Sequence, residues 1–160
     1  MYGNQTLPGV SVSDTYRVTN GSIWRGYPEA TWFKTVNVNG TDGTNIPLGT
    51  IMKEVAADGS YTPIAESDII TNAANLPGVR LAIVADKTAK TGTTTTTGEG
   101  AEAVTESTAS TVLIGIAGIV NKEMLFVGDK RFTELEDAKK IALNTQLEAW
   151  NFQLITVVQA

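Results

Sequence analysis

Val79-Arg80-Leu81-Ala82-Ile83-Val84-Ala85-Asp86, then a tract of threonine and glycine, then Thr111-Val112-Leu113-Ile114-Gly115-Ile116-Ala117-Gly118-Ile119-Val120: the fold turns on this stretch. The first segment sets large apolar residues at Val79, Leu81 and Ile83, the two-residue period of a strand. The second is the longest apolar run of the chain and reads as its mate. Two glycines inside a strand mark a bulge or a close backbone approach, and Gly115 and Gly118 are expected to do one or the other. Between the mates lie Lys87 to Gly92, five threonines from Thr93 to Thr97, Gly98-Glu99-Gly100, and a polar continuation to Ser110 with Ala103 and Val104 as weak apolar anchors. Such a segment buries too little surface to offset its ordering entropy unless it pairs as an exposed ribbon. Residues 88–110 are therefore expected to form a mobile or protruding hairpin loop.

Upstream, Ile46 to Val55 and Tyr61 to Ile64 flank the turn Ala57-Asp58-Gly59-Ser60 and predict a hairpin. Thr31 to Val38 predicts another strand, with Phe33, Thr35 and Asn37 on one face and Trp32, Lys34, Val36 and Val38 on the other. Asn20-Gly21, Asn39-Gly40 and Asp42-Gly43 are turn dipeptides. Residues 1–46 thus read as an aromatic-rich N-terminal arm, and 47–160 as a β-rich domain carrying the insert at 88–110. Downstream, Thr133-Glu134-Leu135-Glu136 has the form of a capping box, so a helix is expected from there to about Ala149. Its stripe would run through Leu135, Ala138, Ala142 and Thr145 or Ala149. Ile141, Leu143 and Leu147 widen that stripe, so cover on more than one side is expected. Glu136 and Lys140 stand at i,i+4. Phe152 to Val158 predicts a terminal strand.

Composition narrows the function. Charged residues are 18% of the 160, below the usual quarter, and Thr, Asn, Ser and 15 Gly take their place, as in turn-rich β proteins. The 12 basic and 17 acidic residues give a charge of −5 with no basic cluster, which excludes a phosphate-neutralising surface, so no nucleic-acid partner is expected. With neither His nor Cys, the usual near-neutral base, thiolate chemistry and thiolate zinc sites are missing. The pairs Glu66/Asp68 and Glu134/Glu136 are the remaining acid–base candidates, and they read first as solvated or helix-end acids. Gly98-x-Gly100 and Gly115-x-x-Gly118 do not complete a phosphate loop. No catalytic, metal or cofactor site is expected. Met1-Tyr2-Gly3-Asn4 lacks the basic start and apolar stretch of a signal peptide, and Val112 to Val120 is too short to span a bilayer. Synthesis in a cytoplasm and no membrane partner follow as expectations.

Trp24, Arg25, Tyr27, Trp32 and Phe33 form the most distinctive group. Trp, Tyr and Arg dominate interface hot spots. The same residues would suit a platform for stacking sugars, or a small core under the N-terminal region. Because residues 1–45 are turn-rich and poor in aliphatics, these rings lack a local core, and they are expected to be partner-contact residues.

The order of features from residue 79 onward resembles the lambda-type head decoration proteins of tailed bacteriophages, and equally the phage head-fibre proteins. The residues that carry the resemblance are Leu81 to Thr88, the Thr-rich crossing, Thr111-Val112-Leu113, Ala117-Gly118-Ile119-Val120-Asn121-Lys122-Glu123-Met124-Leu125, the helix around Ala138-Lys139-Lys140-Ile141-Ala142-Leu143, and Leu154 to Val158. With Leu48 to Ile64 they cover about the last two-thirds of the chain. The resemblance implies a mainly β, α+β fold of the β-clip-like decoration type, with one short α-helix and an irregular N-terminal arm. It implies a non-enzymatic homotrimer on the capsid exterior of a virion, bound to the major capsid protein. The longer aromatic N-terminal region and the longer Thr-rich insert depart from that pattern. A host-surface glycan is the alternative partner.

Overall fold

The computed structural model describes residues 23–25, 32–69, 71 and 79–156. Its elements are, in chain order, β1 (Trp24–Arg25), β2 (Trp32–Val38), β3 (Ile51–Glu54), β4 (Tyr61–Pro63), β5 (Leu81–Val84), β6 (Thr93–Thr97), β7 (Val104–Thr108), β8 (Ser110–Asn121), β9 (Phe126–Val127), β10 (Lys130–Arg131), α1 (Asp137–Ala149) and β11 (Phe152–Ile155). The chain is mainly β, with one short α-helix among the described residues, as the composition predicts.

The 12-residue β8 organises everything else. One partner is β2, antiparallel from Trp32↔Ala117 to Val38↔Ser110. Another is β5, antiparallel through Ile83↔Gly115 and Val84↔Ile114, which is the predicted pair of mates. The predicted hairpin is β3–β4, with Glu54↔Tyr61 and Met52↔Pro63, and β3 passes the sheet on to β5. A single parallel pair, Val38↔Tyr61, joins β4 to β2. Strands β8, β2, β4, β3 and β5 therefore close into a ring.

That closure explains why β5 is buried at all four residues. Inside the ring, Val36 and Val38 of β2, Met52 of β3, Tyr61 of β4, Ala82 and Val84 of β5 and Val112 and Ile114 of β8 make one core. Outside it, Ile51, Leu81 and Ile83 face a second core completed by Leu143 and Leu147 of α1, Phe152 of β11 and Leu125, Val127, Phe132 and Leu135. Neighbouring residues of one strand point to opposite faces, so two cores share each strand. Each fully buried Val, Leu, Ile or Phe contributes about 1.5–3 kcal/mol relative to exposure.

Three expectations are corrected. First, β1 and β2 are not parts of an appended arm. They line one side of β8, with Trp24↔Val120, Arg25↔Ile119 and the run from Trp32 to Val38, so the body of the fold begins within residues 1–46. Non-local pairing overrides the turn-rich composition there. Second, α1 starts at Asp137, after a 3₁₀ turn at Phe132–Glu134. Phe132 and Leu135, both buried, are held on one side by that turn, and Glu134 closes it by accepting from the Arg131 N–H at 2.9 Å. Third, the helix buries a narrow face of Leu143, Gln146 and Leu147, while Ile141 is 69% exposed, so it is covered on one side only. Lys140 pairs with Asp137 at 3.1 Å rather than with Glu136. The helix ends at Ala149, and Asn151 just past it has a φ of 64°, the left-handed conformation common there. The chain then returns along β8 as β11, in parallel register from Phe152↔Gly118 to Ile155↔Asn121.

Candidate docking surface

The Thr-rich insert pairs with itself as expected. Thr93↔Thr108, Thr94↔Ser107, Thr95↔Glu106, Thr96↔Thr105 and Thr97↔Val104 form a two-stranded antiparallel ribbon, β6–β7, that joins no other sheet. Nine of its ten strand residues are exposed and Thr94 is partly buried. On one face the hydroxyls bond across the ribbon, Thr94 to Ser107 at 3.0 Å and Thr96 to Thr105 at 3.2 Å. Threonine suits this position, since its branched Cβ favours extended backbone and its hydroxyl tolerates water.

The root of the ribbon is fastened, not loose. The Gly43 N–H donates to Gly92 O at 3.0 Å, the Thr94 N–H to Thr41 O at 3.0 Å, and the Ile46 N–H to Ala89 O at 2.8 Å. Hydrogen bonds from the Thr44 side chain, then the Thr44 N–H and the Thr91 hydroxyl, hold the Asp42 carboxyl below the ordinary range. The ribbon thus springs from a braced loop at the Val38–Ser110 end of β2 and β8.

The five aromatic-group residues are not brought together as one surface. Trp24 is fully buried and belongs to the outer core. Its ring meets Phe33 edge-on at 5.3 Å and 75°, and lies tilted to Phe152 at 6.3 Å. Phe33 is half-buried against the same cluster. The expectation that Trp24 serves as a contact residue is therefore corrected: β8 supplies the core that its own segment lacks. Room for the indole comes from Gly115, because a Cβ there would collide with Trp24 Cη2 and Cζ2. The predicted close approach at Gly115 is real, and its cause is Trp24. Among the described rings of the group, only Trp32, 66% exposed at the end of β2, stands free. Arg25 lies in β1 opposite Ile119, and Tyr27 lies outside the described residues.

Three of the four carboxylates considered for acid–base work, Glu66, Asp68 and Glu134, are bound in ion pairs or turns. Glu66 takes Lys130 at 2.6 Å and Lys139 at 2.7 Å, tying its 3₁₀ turn to β10 and to α1. The hydrogen bonds from Lys130 and then Lys139 lower its pKa from 4.5 to about 2. For Asp68, burial pushes upward, but the hydrogen bond from Lys53, the Ala65 N–H and the Lys53 charge together win, and the net shift is downward. Neither has the raised pKa that a general acid needs at neutral pH. Glu134 serves the Arg131 turn. Among the described residues, no three His, Cys, Asp or Glu side chains are grouped to hold a metal ion, and no helix is long and apolar enough to cross a membrane.

Glu66 yields a pH prediction with a definite sign. Its pKa is lower in the folded chain, about 2 against 4.5, so its contribution to stability is complete above 4.5 and disappears as pH falls toward 2. Glu66→Gln should therefore melt below the parent at pH 6, and the two melting curves should converge between about pH 4.5 and 2. Parallel curves across that window would show that the two lysines do not act through this carboxylate.

Comparison of the chain with protein-family models and with curated proteins gives no match.

Proposed function

We propose that the chain is a non-enzymatic virion structural protein of the decoration or head-fibre type, which docks on the outside of a phage capsid. The observation that carries this reading is the β6–β7 ribbon. Ordering each residue of a chain costs about 1–2 kcal/mol of backbone entropy. The ribbon takes on that cost, yet it gives almost no side chain to either core. An element of this kind contributes little to its own domain, and its paired but open edges suit contact with a neighbouring chain. Trp32, exposed at the opposite end of β2, offers a separate apolar anchor.

The remaining features agree with such a role. The ordered resemblance over the last two-thirds of the chain supports it, as does a sequence with 17 acidic against 12 basic residues. The proposed mechanism is mass action: a protein that binds the assembled shell and not its separated subunits stabilises the shell by its binding free energy. The major capsid protein is the proposed partner. A homotrimer on a three-fold position would add avidity, because three weak contacts engage together.

Excision of residues 93–108 tests this directly, since Gly92 and Ala109 already lie against each other at the ribbon root. The shortened chain should melt within a few degrees of the parent, because the ribbon holds none of the core. Its co-sedimentation with capsids built from the proposed partner, a major capsid protein, should fall about tenfold or more, the equivalent of about 1.4 kcal/mol. Undiminished co-sedimentation of a folded, shortened chain would overturn the docking role of the ribbon.

A further inference from the structure

The ring of strands has its narrowest seam between β2 and β4, where Val38↔Tyr61 is the single backbone pair. One residue beyond that pair, a side chain continues the contact. Asn39 Nδ2 donates to Ser60 Oγ at 2.9 Å and to Asp58 Oδ2 at 3.1 Å. Its two N–H groups thus tie the end of β2 to the turn of the β3–β4 hairpin.

The two acceptors dictate what can stand at position 39. Ser60 gives its own hydroxyl proton to Asp58 Oδ1 at 2.6 Å, so toward Asn39 its oxygen can only accept. The Ser60 hydroxyl, then the Ser60 N–H and the Asn39 amide, hold the Asp58 carboxyl below its ordinary range, and it is charged at neutral pH. The seam therefore needs two donors and no negative charge. A carboxamide supplies both donors, whereas a carboxylate supplies none and would face a like charge across one hydrogen-bond length.

The next residue is constrained as firmly. A Cβ on Gly40 would stand 2.5 Å from Thr91 Cβ and 2.9 Å from its hydroxyl oxygen, at the braced root of the ribbon. The same lack of a Cβ leaves the Gly40 nitrogen open to the side chain before it. Among the described residues no hydrogen bond engages that N–H, and Asn39 is exposed to water. Hydrogen bonding on one side and packing on the other thus select an Asn-Gly pair, the sequence in which a backbone nitrogen most readily reaches the preceding amide.

We propose that Asn39 is a modification site, where spontaneous deamidation unclasps the β2–β4 seam irreversibly. The Gly40 nitrogen bonds to Asn39 Cγ, the Cγ–Nδ2 bond breaks, and Nδ2 leaves as ammonia with the proton that the Gly40 nitrogen gives up. Water then opens the five-membered imide at either carbonyl, which leaves an aspartyl or isoaspartyl residue at position 39. One water is consumed, one ammonia is released, and nothing is oxidised or reduced. Either product sets a carboxylate against Asp58 where two donors stood. The isoaspartyl form also adds one carbon to the main chain between β2 and the ribbon root. While both hydrogen bonds are made the amide is held at the seam, so attack waits on their release.

The test incubates the full chain in neutral buffer made with water enriched in heavy oxygen, and peptide mapping locates the label. Label should accumulate at position 39 of the folded chain, several-fold more slowly than in the chain unfolded in urea. Ser60→Ala, which removes one acceptor of the clasp, should bring the folded rate toward the unfolded one. The proposal is overturned if position 39 stays unlabelled in the folded chain while the unfolded chain takes up label, or if Ser60→Ala reacts at the parent rate. Urea unfolding tests the consequence. Asn39→Asp should have a lower midpoint than Asn39→Ala, because it adds repulsion to the same lost donors. Adding Asp58→Asn to Asn39→Asp should recover stability, since it exchanges donor and acceptor across the seam. Equal midpoints for Asn39→Asp and Asn39→Ala, or no recovery on adding Asp58→Asn, would overturn the unclasping.

Discussion

Trp24→Ala is expected to destabilise the chain by about 3–5 kcal/mol, the range for removing a large ring from a core. Trp24 is wholly buried and touches Phe33 and Phe152, so its loss opens a cavity between β1, β2 and β11 on the outer face of the ring. The effect has a built-in control at Gly115. Alanine there would drive its methyl into the Trp24 ring, so Gly115→Ala in the parent should cost about 1–3 kcal/mol through overpacking. In the Trp24→Ala chain the same substitution should be nearly free, or should regain stability by filling part of the cavity. Urea unfolding of the four chains in a double-mutant cycle measures the difference. Additive effects would show that Gly115 is required for some reason other than the indole. Trp24→Phe should recover much of the loss, because the Trp24 Nε1 it removes has no partner to lose.

This pair also explains which parts of the structure were legible in the sequence. The β3–β4 hairpin was legible because turn and strands are adjacent, and Asp58, accepting from the Ser60 N–H and hydroxyl, fixes the turn locally. The β5–β8 pairing was legible from two apolar runs, and the β6–β7 ribbon from a composition with nothing to bury. The role of the N-terminal region was not legible. Trp24 finds its place over Gly115, far along the chain, and no nearby residue signals that partner. Composition near Trp24 pointed to a contact surface, whereas Gly115 announced a close approach without naming what approaches. The helix start is not legible for a related reason: Thr133 to Glu136 has the form of a capping box, but burial of Phe132 and Leu135 makes the first turn 3₁₀ and delays the helix. Leu143 and Leu147 read in the sequence as extra width rather than as the buried stripe, because only the facing core decides which side of α1 turns inward.

The second large effect is expected at Gly49. The turn Pro47-Leu48-Gly49-Thr50 closes with the Thr50 N–H donating to Pro47 O at 3.1 Å, and its third residue has a φ of 89°, as a type II turn requires. Gly49 also bridges two parts of the fold. Its N–H donates to Val84 O at 3.0 Å, and its carbonyl accepts the Phe126 N–H at 3.1 Å, which ties β5 to the start of β9. A Cβ at this position would collide with the Met124 carbonyl oxygen and crowd Ile23. Backbone cannot step aside as a flexible side chain can. Gly49→Ala therefore combines a left-handed backbone penalty of about 1–2 kcal/mol with an overpacking penalty of about 1–3 kcal/mol, and a total of about 2–5 kcal/mol is expected. Gly59 separates the two contributions. Its φ is 70°, but a Cβ there meets nothing within 4 Å, so Gly59→Ala should show the backbone penalty alone. Urea midpoints at unchanged slope compare the two chains on one scale. A markedly larger loss at Gly49 assigns the difference to the Met124 carbonyl. Equal losses would mean that the segment carrying Met124 yields, and that the tie between β5 and β9 through Gly49 is softer than its hydrogen bonds imply.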